Sequence, residues 1–572
     1  MAEGGALLDW SANAGAEALR CPICGSSSAK TFLVSAPYLE QRAERARFLR
    51  CGDCGSLLHD GPIRAFEHIQ EGEREVFLRQ YLESTAGLWE MFWPVACVAD
   101  AHGRSLLELG CGFGLTVDLW QRIYRAPAYG CDPADYAAAG RRVLGPRIHP
   151  RLLRDVPELV AQQFDLVYAS EVIEHVEDPG AFVAEAAARL SPRGVLVLTT
   201  PAAEFVARKN DPATVTAALA PGFHAFLFSA QALEGLLRRH GFGEVVVERH
   251  NERLIAWAAR VPFARVSPAE RFSVYLDALG SARLDLPAGD RAAEAFAAGL
   301  AYRNYKERLL RGMSSGLAEA RARALSLALV VSPAGNTGCT PTELLARVAE
   351  CAEGPRAFGE QFRFCLPQMA FLEGLVEANR DLGLARQWFR LMQLATERLC
   401  AHTALAGLEA VSFYWQAEFH RLAGLIENGD AAALAQGLLR LLEAVETPLT
   451  TPAGASPAPE TAFTMIERIL DGIPGADYGA FLERVAQAIS TQADSAEAVI
   501  LSGLCAAVGS HLRTGGVDVD ALQRARSAAA WLPDRSGRLR ALIERRLAAE
   551  QARARPSFAT LREATWGGGW RR

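Results

Sequence analysis

Residues 106–114 of the chain have the sequence LLELGCGFG, an apolar run that ends in three closely spaced glycines. The apolar run is typical of a buried strand; it contains Glu108 and is followed by Gly110, Gly112 and Gly114. A glycine-rich turn between a strand and a helix lets backbone N–H groups approach a ligand closely, because no side chain blocks the way. The stretch predicts a nucleoside-binding loop, with an ordinary tight turn as the alternative.

A carboxylate follows at the end of the next predicted strand. Asp132 lies in YGCDP, twenty residues after Gly112. A carboxylate at this place in a strand–helix–strand unit can accept hydrogen bonds from both hydroxyls of a ribose. The glycine spacing is G-x-G-x-G, with Leu115 where the dinucleotide fingerprint has its third glycine. These features predict a cofactor that contains a nucleoside.

Short apolar runs alternate with amphipathic stretches over residues 103–260. SLLEL, APAYGCD, FDLVYAS and GVLVLTT are typical of buried strands, whereas LTVDLWQRIY, PADYAAAGRRVL and PGAFVAEAAARL have helical spacing. The alternation predicts an α/β fold with a parallel sheet covered on both faces. EVVVERH and RLIAWAAR predict a hairpin that closes the sheet. From about residue 262 onward the pattern is helical.

Four cysteines stand in two close pairs near the N-terminus, CPICG at 21–25 and CGDCG at 51–55. Four thiolates fit a tetrahedral Zn²⁺ ion, and zinc would fold a segment too small for a core of its own. A redox dithiol is the alternative, which the doubled motif disfavours. Because all four positions are filled, the predicted zinc is structural. Its ligands are Cys21, Cys24, Cys51 and Cys54.

The stretch EVIEHV, which follows the strand FDLVYAS, carries Glu171, Glu174 and His175. On a helix these three residues would share one face. His224, in GFHAF, comes later in the chain, and together the four side chains would suit Mg²⁺, Mn²⁺ or Zn²⁺. In the alternative, the acids favour a helix start and His175 acts as a general base or positions the substrate, with His224 a helix-entry residue.

The ordered motifs resemble the class I S-adenosylmethionine (SAM)-dependent methyltransferases. The resemblance rests on ELGCGFG, GCDP, FDLVYASEVIEHVEDP, LSPRGVLVLTTP and FHAFLFSAQALEGLLRRHGF, and covers roughly residues 85–260. It implies a Rossmann-like sheet of seven strands with a reversed last strand, and SAM over the carboxyl ends of the first strands. It places Glu108, Gly110 and Gly112 at the methionine end with Gly114 closing the loop, Asp132 at the ribose and Asp155 beside the adenine.

Two further resemblances bear on the acceptor. E-x-x-E-H resembles the metal site of ubiquinone-pathway O-methyltransferases and, with a later histidine, that of small-RNA 3′-end 2′-O-methyltransferases. In both, the resemblance implies a cation that holds vicinal oxygens of the acceptor. The paired cysteine motifs resemble a zinc ribbon found ahead of this domain in bacterial enzymes that methylate sugars and natural products. This resemblance implies that the ribbon helps to shape the acceptor site.

These patterns together predict an α/β methyltransferase domain between a small zinc ribbon and an all-α region. The predicted segments are 1–62 with the ribbon at 21–55, the methyltransferase domain at 63–260, a helical domain at 261–446, a Pro/Thr/Ala linker at 447–460, and a helical C-terminal region at 461–572 with a flexible tail.

The charge composition limits the classes of molecule that the chain is expected to bind. The chain has 572 residues and a formal net charge of −6, which disfavours nucleic acid and anionic membranes as partners. Neither a secretion signal nor a membrane span is recognisable in the sequence, and we expect a cytoplasmic protein. The leading hypothesis is methylation of a hydroxyl or carbon of a sugar-containing small molecule or glycan. The alternatives are metal-assisted RNA 2′-O-methylation and a non-catalytic SAM-binding adaptor whose helical C-terminal region binds a protein partner.

Overall fold

A computed structural model describes most of the chain up to residue 400 and parts of the remainder. The described residues are 8–11, 20–38, 44–63, 71–99, 103–208, 210, 212–281, 289–331, 339–378, 380–400, 413–414, 416–418, 420–422, 425, 429–446, 466, 476–492, 496–515, 518–529 and 544. The predicted linker at 447–460 and the predicted tail at 565–572 lie outside them.

The chain divides into two compact units. One comprises Met1–Tyr414 and Thr451–Ala455, and the other comprises Trp415–Thr450 and Ser456–Arg572. The predicted ribbon, the predicted methyltransferase domain and most of the predicted helical domain therefore fall within the first unit.

The strands of the first unit lie between residues 30 and 259. In chain order they are β1 Lys30–Pro37, β2 Arg45–Cys51, β3 Leu57–Asp60, β4 Leu106–Leu109, β5 Ala128–Cys131, β6 Ile148–His149, β7 Phe164–Ser170, β8 Leu190–Pro201, β9 Phe226–Leu227, β10 Glu244–His250 and β11 Arg253–Ala259.

Seven of the described strands form a central sheet in the order β10-β11-β8-β7-β4-β5-β6. The five strands from β8 to β6 are parallel, and β11 runs antiparallel to both of its neighbours. The seven strands and the reversed last strand are confirmed. The predicted hairpin is also confirmed, with Glu244 paired to Ala259 and His250 to Arg253.

Helices surround this sheet and continue beyond it. In the first unit they are α1 Glu71–Gln80, α2 Leu88–Ala96, α3 Leu115–Tyr124, α4 Asp135–Leu144, α5 Pro157–Val160, α6 Pro179–Ala188, α7 Pro212–Leu219, α8 Ala230–Arg239, α9 Pro268–Gly280, α10 Arg291–Leu310, α11 Leu317–Leu327, α12 Pro341–Glu350, α13 Pro355–Gln361, α14 Leu366–Glu377 and α15 Leu382–Cys400. A π-helical turn, Tyr81–Thr85, directly follows α1 and precedes α2.

The central sheet is buried on both faces, as expected for parallel strands covered by helices. Successive residues of β8 contribute to different cores: Val195 and Val197 pack in one cluster, Leu196 and Leu198 in the other. The first cluster also contains residues of α9 and α10, such as Phe272 and Phe296. Helices α9 and α10 thus share a hydrophobic core with the central sheet.

A small antiparallel sheet, in the order β1-β2-β3-β9, carries the paired cysteine motifs. Its fourth strand comes from the last quarter of the predicted methyltransferase domain: Leu57 pairs with Leu227, and Leu58 with Phe226. The second compact unit is helical where the structure describes it, with α16 Ala431–Glu446, α17 Ala476–Gln492, α18 Ala496–Thr514 and α19 Val519–Ala529. No described helix is both long enough and apolar enough to cross a bilayer.

Candidate active site

The carboxyl ends of β4, β5, β7 and β8 meet at one edge of the central sheet. The chain leaves β4 for β5 and β6 on one side, then returns to place β7 on the other side of β4. The edge at such a reversal of strand order is where open α/β sheets bind ligands. The glycine loop follows β4, Asp132 follows β5 and Glu171 follows β7, so the predicted residues lie along this edge.

The glycine loop has a backbone that only glycine accommodates well. Gly110 has φ +72°, and a Cβ added there would lie 2.4 Å from Cγ2 of Val172. Gly114, at φ +92°, caps the N-terminus of α3. The loop therefore leads into a helix whose first N–H groups lie at the ligand edge of the sheet.

Replacing Gly110 with alanine is expected to lower the free energy of unfolding by about 2–4 kcal/mol, from left-handed backbone strain and overpacking against Val172. Gly103→Ala is the matched control, because Gly103 has φ +77° but open space where a Cβ would stand. Gly103→Ala should lose about 1 kcal/mol of unfolding free energy, because only the left-handed backbone strain is added. Denaturant unfolding of both variants measures the difference, and equal losses would contradict the described packing.

The Asp132 carboxylate lies beside the glycine loop. Oδ2 accepts a hydrogen bond from the Gly112 N–H at 2.8 Å, and Oδ1 accepts one from the Ala134 N–H at 2.8 Å. Burial raises the pKa of Asp132, although these two bonds oppose the shift. Each carboxylate oxygen has a second lone pair, so the group can still accept bonds from a diol.

Glu108 lies within β4, below the loop, and its side chain is buried. Burial raises its pKa to about 8, and within the described part of the chain its Oε2 has no hydrogen-bond partner. A buried carboxylate oxygen without a hydrogen-bond partner is costly unless a cation or a donor approaches it. The unpaired oxygen therefore suits the ammonium of an amino-acid ligand, and the resemblance places Glu108 at the methionine end of SAM.

Two tyrosines that sequence reasoning missed stand beside the loop. The Tyr81 hydroxyl lies 3.7 Å from the point where a Cβ on Gly112 would stand, and its ring centroid is 5.7 Å from that of Tyr136. Tyr136 follows Asp132 by only four residues, and this closeness to a predicted site residue could have identified it. Tyr81 is distant in sequence from the predicted site residues, so no sequence signal pointed to it.

Asp155, which was predicted to lie beside the adenine, is in a short 3₁₀ turn and has an exposed side chain.

Glu174, His175 and His224 form a cluster at the same edge, with one potential ligand atom from each within 4.8 Å of the others. Residues 173–175 form a 3₁₀ turn, whereas the pattern predicted a helix. Glu171 precedes this turn with φ +55°, a strained conformation for a residue with a side chain. The turn brings Glu174 and His175 to His224 and leaves Glu171 outside the cluster.

Both histidines are oriented as metal ligands usually are. Nδ1 of His175 lies 3.0 Å from the carbonyl oxygen of Phe223, and Nδ1 of His224 lies 2.9 Å from that of Ala218. With Nδ1–H donating to a carbonyl, each Nε2 carries a free lone pair. Burial lowers the pKa of His224 to about 3, and desolvation lowers that of His175, although its side chain reaches solvent. Both rings are therefore neutral near pH 7.

The Glu174 side chain completes the cluster. It is fully buried, and Oε2 accepts a hydrogen bond from the Thr200 hydroxyl at 3.0 Å. Oε1 has no hydrogen-bond partner among the described residues and lies 4.0 Å from Nε2 of His224. Two ligands of one Mg²⁺-sized ion stand about 3 to 4.2 Å apart. Burial raises the pKa of Glu174 well above its ordinary value, and an adjacent cation would reverse this shift. The residues fit a divalent cation.

Glu171 makes different contacts. Its Oε1 accepts a hydrogen bond from the Thr199 hydroxyl at 2.9 Å and lies 3.9 Å from Nε of Arg253. Nη1 of Arg253 is buried without a hydrogen-bond partner in the described structure. Sequence reasoning missed Arg253 and the threonine pair at the end of β8, although two polar residues closing an apolar strand are a usable signal.

The four cysteines of the paired motifs lie together, Cys51 at the end of β2 and the other three outside the strands of the small sheet. Sγ of Cys21 is 3.8 Å from Sγ of Cys54, and Sγ of Cys24 is 3.8 Å from Sγ of Cys51. A disulfide requires about 2.05 Å, whereas the edge of a ZnS₄ tetrahedron with 2.3 Å bonds is about 3.8 Å. The cysteines therefore fit a zinc ion with no open coordination position.

Residues 79–246 match a family model described as a methyltransferase domain. The chain carries a methyltransferase domain. The match begins before the glycine loop and ends within β10, so it includes the loop, Asp132, the EVIEH turn and His224.

Curated relatives are similar over part of this domain. A ubiquinone biosynthesis O-methyltransferase of Rhodopseudomonas palustris strain BisA53 is 36% identical over 104 residues, which are 17% of this chain and 40% of the relative. A protein of the same name from Bradyrhizobium sp. strain ORS 278 is 34% identical over 102 residues, again 17% of this chain and 40% of the relative. The chain thus spans about two fifths of the length of these relatives.

Among solved structures, an S-adenosylmethionine-dependent methyltransferase from Mesorhizobium loti aligns with 20% identity and a TM-score of 0.25, over 30% of this chain and 98% of that one. A magnesium protoporphyrin IX methyltransferase from Synechocystis, solved with bound S-adenosylhomocysteine (SAH), aligns with 20% identity and a TM-score of 0.23, over 35% of this chain and 90% of that one.

Proposed function

We propose that the protein is a SAM-dependent O-methyltransferase that uses a divalent cation to hold a small acceptor with two neighbouring oxygens. The observation that carries the proposal is one sheet edge with two sets of groups: the glycine loop with Asp132, and the cluster of Glu174, His175 and His224. The names of the curated relatives support transfer to oxygen.

The cofactor half of the edge suits SAM. The Asp132 carboxylate would accept hydrogen bonds from the ribose hydroxyls, and Glu108 would face the ammonium of the methionine moiety. When bound, SAM supplies an already activated sulfonium methyl group. The task left to the protein is to align the acceptor oxygen with that methyl group and to exclude water.

The acceptor half of the edge suits a chelating ligand. A divalent cation at the cluster supplies a positive charge that favours the ionised form of a nearby hydroxyl. Glu174, His175 and His224 offer three protein ligand atoms, whereas Mg²⁺ and Mn²⁺ prefer six. Two neighbouring acceptor oxygens would fill part of the remainder, as in a catechol or a sugar diol. The predicted sugar or glycan acceptor belongs to this class, as does the terminal ribose of an RNA.

We also propose that Cys21, Cys24, Cys51 and Cys54 hold a structural zinc ion. The small sheet that carries Cys51 is joined to the acceptor half of the edge through the backbone: the His59 N–H donates to the carbonyl of Ala225, and the Ala225 N–H donates to the carbonyl of Glu174. Zinc would therefore support the shape of the acceptor site.

Methyl transfer from labelled SAM tests the function. The purified chain, loaded with Mg²⁺ or Mn²⁺, is given 3,4-dihydroxybenzoate, a monosaccharide, or an RNA oligonucleotide with a free 3′ end. The matched control acceptor is 4-hydroxybenzoate, which lacks the neighbouring hydroxyl. We expect label in the dihydroxy compound and less than about one hundredth as much in the monohydroxy one, because the latter cannot chelate.

The other results separate the alternatives. Label in the monosaccharide would agree with O-methylation of a vicinal diol and would identify the acceptor as a sugar, the class predicted from the sequence. Label in RNA alone would replace the small-molecule acceptor by nucleic acid. SAM binding without transfer to any of the acceptors would contradict the proposed chemistry and favour the adaptor hypothesis.

A further inference from the structure

The π-helical turn Tyr81–Thr85 lies between the glycine loop and the helices that follow residue 290. Turns of this kind are rare and occur disproportionately at functional sites. Its i to i+5 hydrogen bond runs from the N–H of Ala86 to the carbonyl of Tyr81 at 3.0 Å. Tyr81, the first residue of the turn, is the residue whose hydroxyl stands beside Gly112.

Helix α10 holds this turn by hydrogen bonds from Arg303 to backbone carbonyls in and just after the turn. The Arg303 guanidinium donates to the carbonyl of Leu82 at 2.6 Å, to that of Ala86 at 2.8 and 3.0 Å, and to that of Tyr81 at 3.3 Å. One helical turn earlier, Gly299 packs so closely that an added Cβ would lie 1.9 Å from the carbonyl oxygen of Leu82. Arg303 is only 4% exposed, so water does not compete for these bonds.

A second set of contacts holds the turn from the side of α13 and α14. Glu83 is fully buried and accepts hydrogen bonds from Arg79 at 3.1 Å, from Arg363 at 3.2 Å and from the Phe364 N–H at 2.6 Å. Arg79 also donates to the carbonyl of Gly359 at 2.6 Å. A buried carboxylate with two arginines and a backbone donor fixes the turn in one position.

We propose that α10 supports the cofactor site through the π-helical turn, and that Arg303 is a positioning residue that acts on the cofactor through Tyr81. The inference rests on the proposed function, because it takes SAM as the ligand beside Gly112. It gives the helical region of the first unit a role within the enzyme, whereas the sequence suggested a scaffold for protein partners.

A double-mutant cycle on SAH affinity tests this inference in the full chain. Titration calorimetry compares wild type, Arg303→Lys, Tyr81→Ala and the double variant. We expect Arg303→Lys to weaken SAH binding about tenfold, because a lysine cannot bond three carbonyls in a fork. The double variant should bind as weakly as Tyr81→Ala alone, since Arg303 works through that side chain.

Arg308→Lys is the matched control. Arg308 lies on the same helix, is 8% exposed and donates to the carbonyl of Ser315, away from the π-helical turn. Its SAH affinity should equal that of wild type. Wild-type affinity in Arg303→Lys, or losses that multiply in the double variant, would overturn the inference. Wild-type protein that fails to bind SAH would instead overturn the proposed function.

Hydrogen exchange on the wild-type chain tests the same inference without a substitution. SAH should slow exchange at least threefold in a peptide that covers residues 79–90 and in one that covers residues 296–306. Slowing in the glycine-loop peptide alone would contradict a role for the π-helical turn and for α10, whether or not the Arg303 variant folds.

Discussion

His224→Ala is expected to lower kcat for methyl transfer by about 100-fold or more, while the Kd for SAH changes by less than about twofold. His224 would supply one of the three protein ligand atoms of the cluster, and its Nδ1 lies within hydrogen-bond distance of the carbonyl of Ala218. The glycine loop and Asp132 lie farther along the sheet edge, so cofactor binding should remain. Initial rates with saturating acceptor, together with SAH titration, separate the two effects.

His240→Ala is the matched control, because His240 lies at the end of α8 and outside the cluster. His175→Ala provides a second variant whose side chain reaches solvent, so its removal leaves no buried cavity. A chelator should abolish wild-type activity and Mn²⁺ should restore it, with zinc per chain measured to confirm that the ribbon metal was retained. Chelation without loss of rate, or a near-normal rate in both variants, would contradict a metal site.

Cys54→Ser is expected to release the zinc ion and unfold the paired cysteine motifs. Structural zinc binding is worth about 10–16 kcal/mol in small zinc domains, which is comparable to the whole stability of a typical domain. Zinc per chain, measured by mass spectrometry after gel filtration, should fall from one to near zero. Limited proteolysis should then cut within residues 21–60, and methyl transfer should drop at least about tenfold, because β9 belongs to the small sheet and begins two residues after His224.

Cys97→Ser controls for the loss of one buried thiol elsewhere in the first unit. It should retain one zinc per chain and full resistance of the cysteine motifs to the protease. If Cys54→Ser kept its zinc, or if the wild-type chain were free of zinc and still resisted cleavage, the four cysteines would have to stabilise the small sheet in another way.

Local patterns were sufficient for the central sheet and much of the site. Strand runs such as FDLVYAS and the loop after β4 have the composition that their positions demand, since parallel strands are buried on both faces and Gly110 has no room for a Cβ. The two C-x₂-C motifs likewise predicted the cluster of four cysteines, because two such motifs together supply the four thiolates of a tetrahedral zinc site.

Other features depend on contacts between segments that are distant in the chain, and no local sequence pattern predicts them. The two-residue strand β9 joins the small sheet through β3, about 170 residues earlier in the chain. The role of Arg303 depends on backbone carbonyls of the π-helical turn, which no side-chain pattern reveals. The helix predicted for EVIEH is a 3₁₀ turn, because Glu171 turns into the left-handed region before it and its side chain faces Thr199.

Binding of SAM's product SAH at the glycine loop is tested by titrating the wild-type chain with SAH and with NAD, and the Asp132→Ala variant with SAH. We expect one SAH per chain, no heat with NAD, and an affinity for SAH about 100-fold weaker in Asp132→Ala, since each charge-assisted bond to a ribose hydroxyl is worth about 1.5–3 kcal/mol. An absence of SAH binding by the folded wild-type chain, or tight binding of NAD in its place, would contradict this expectation.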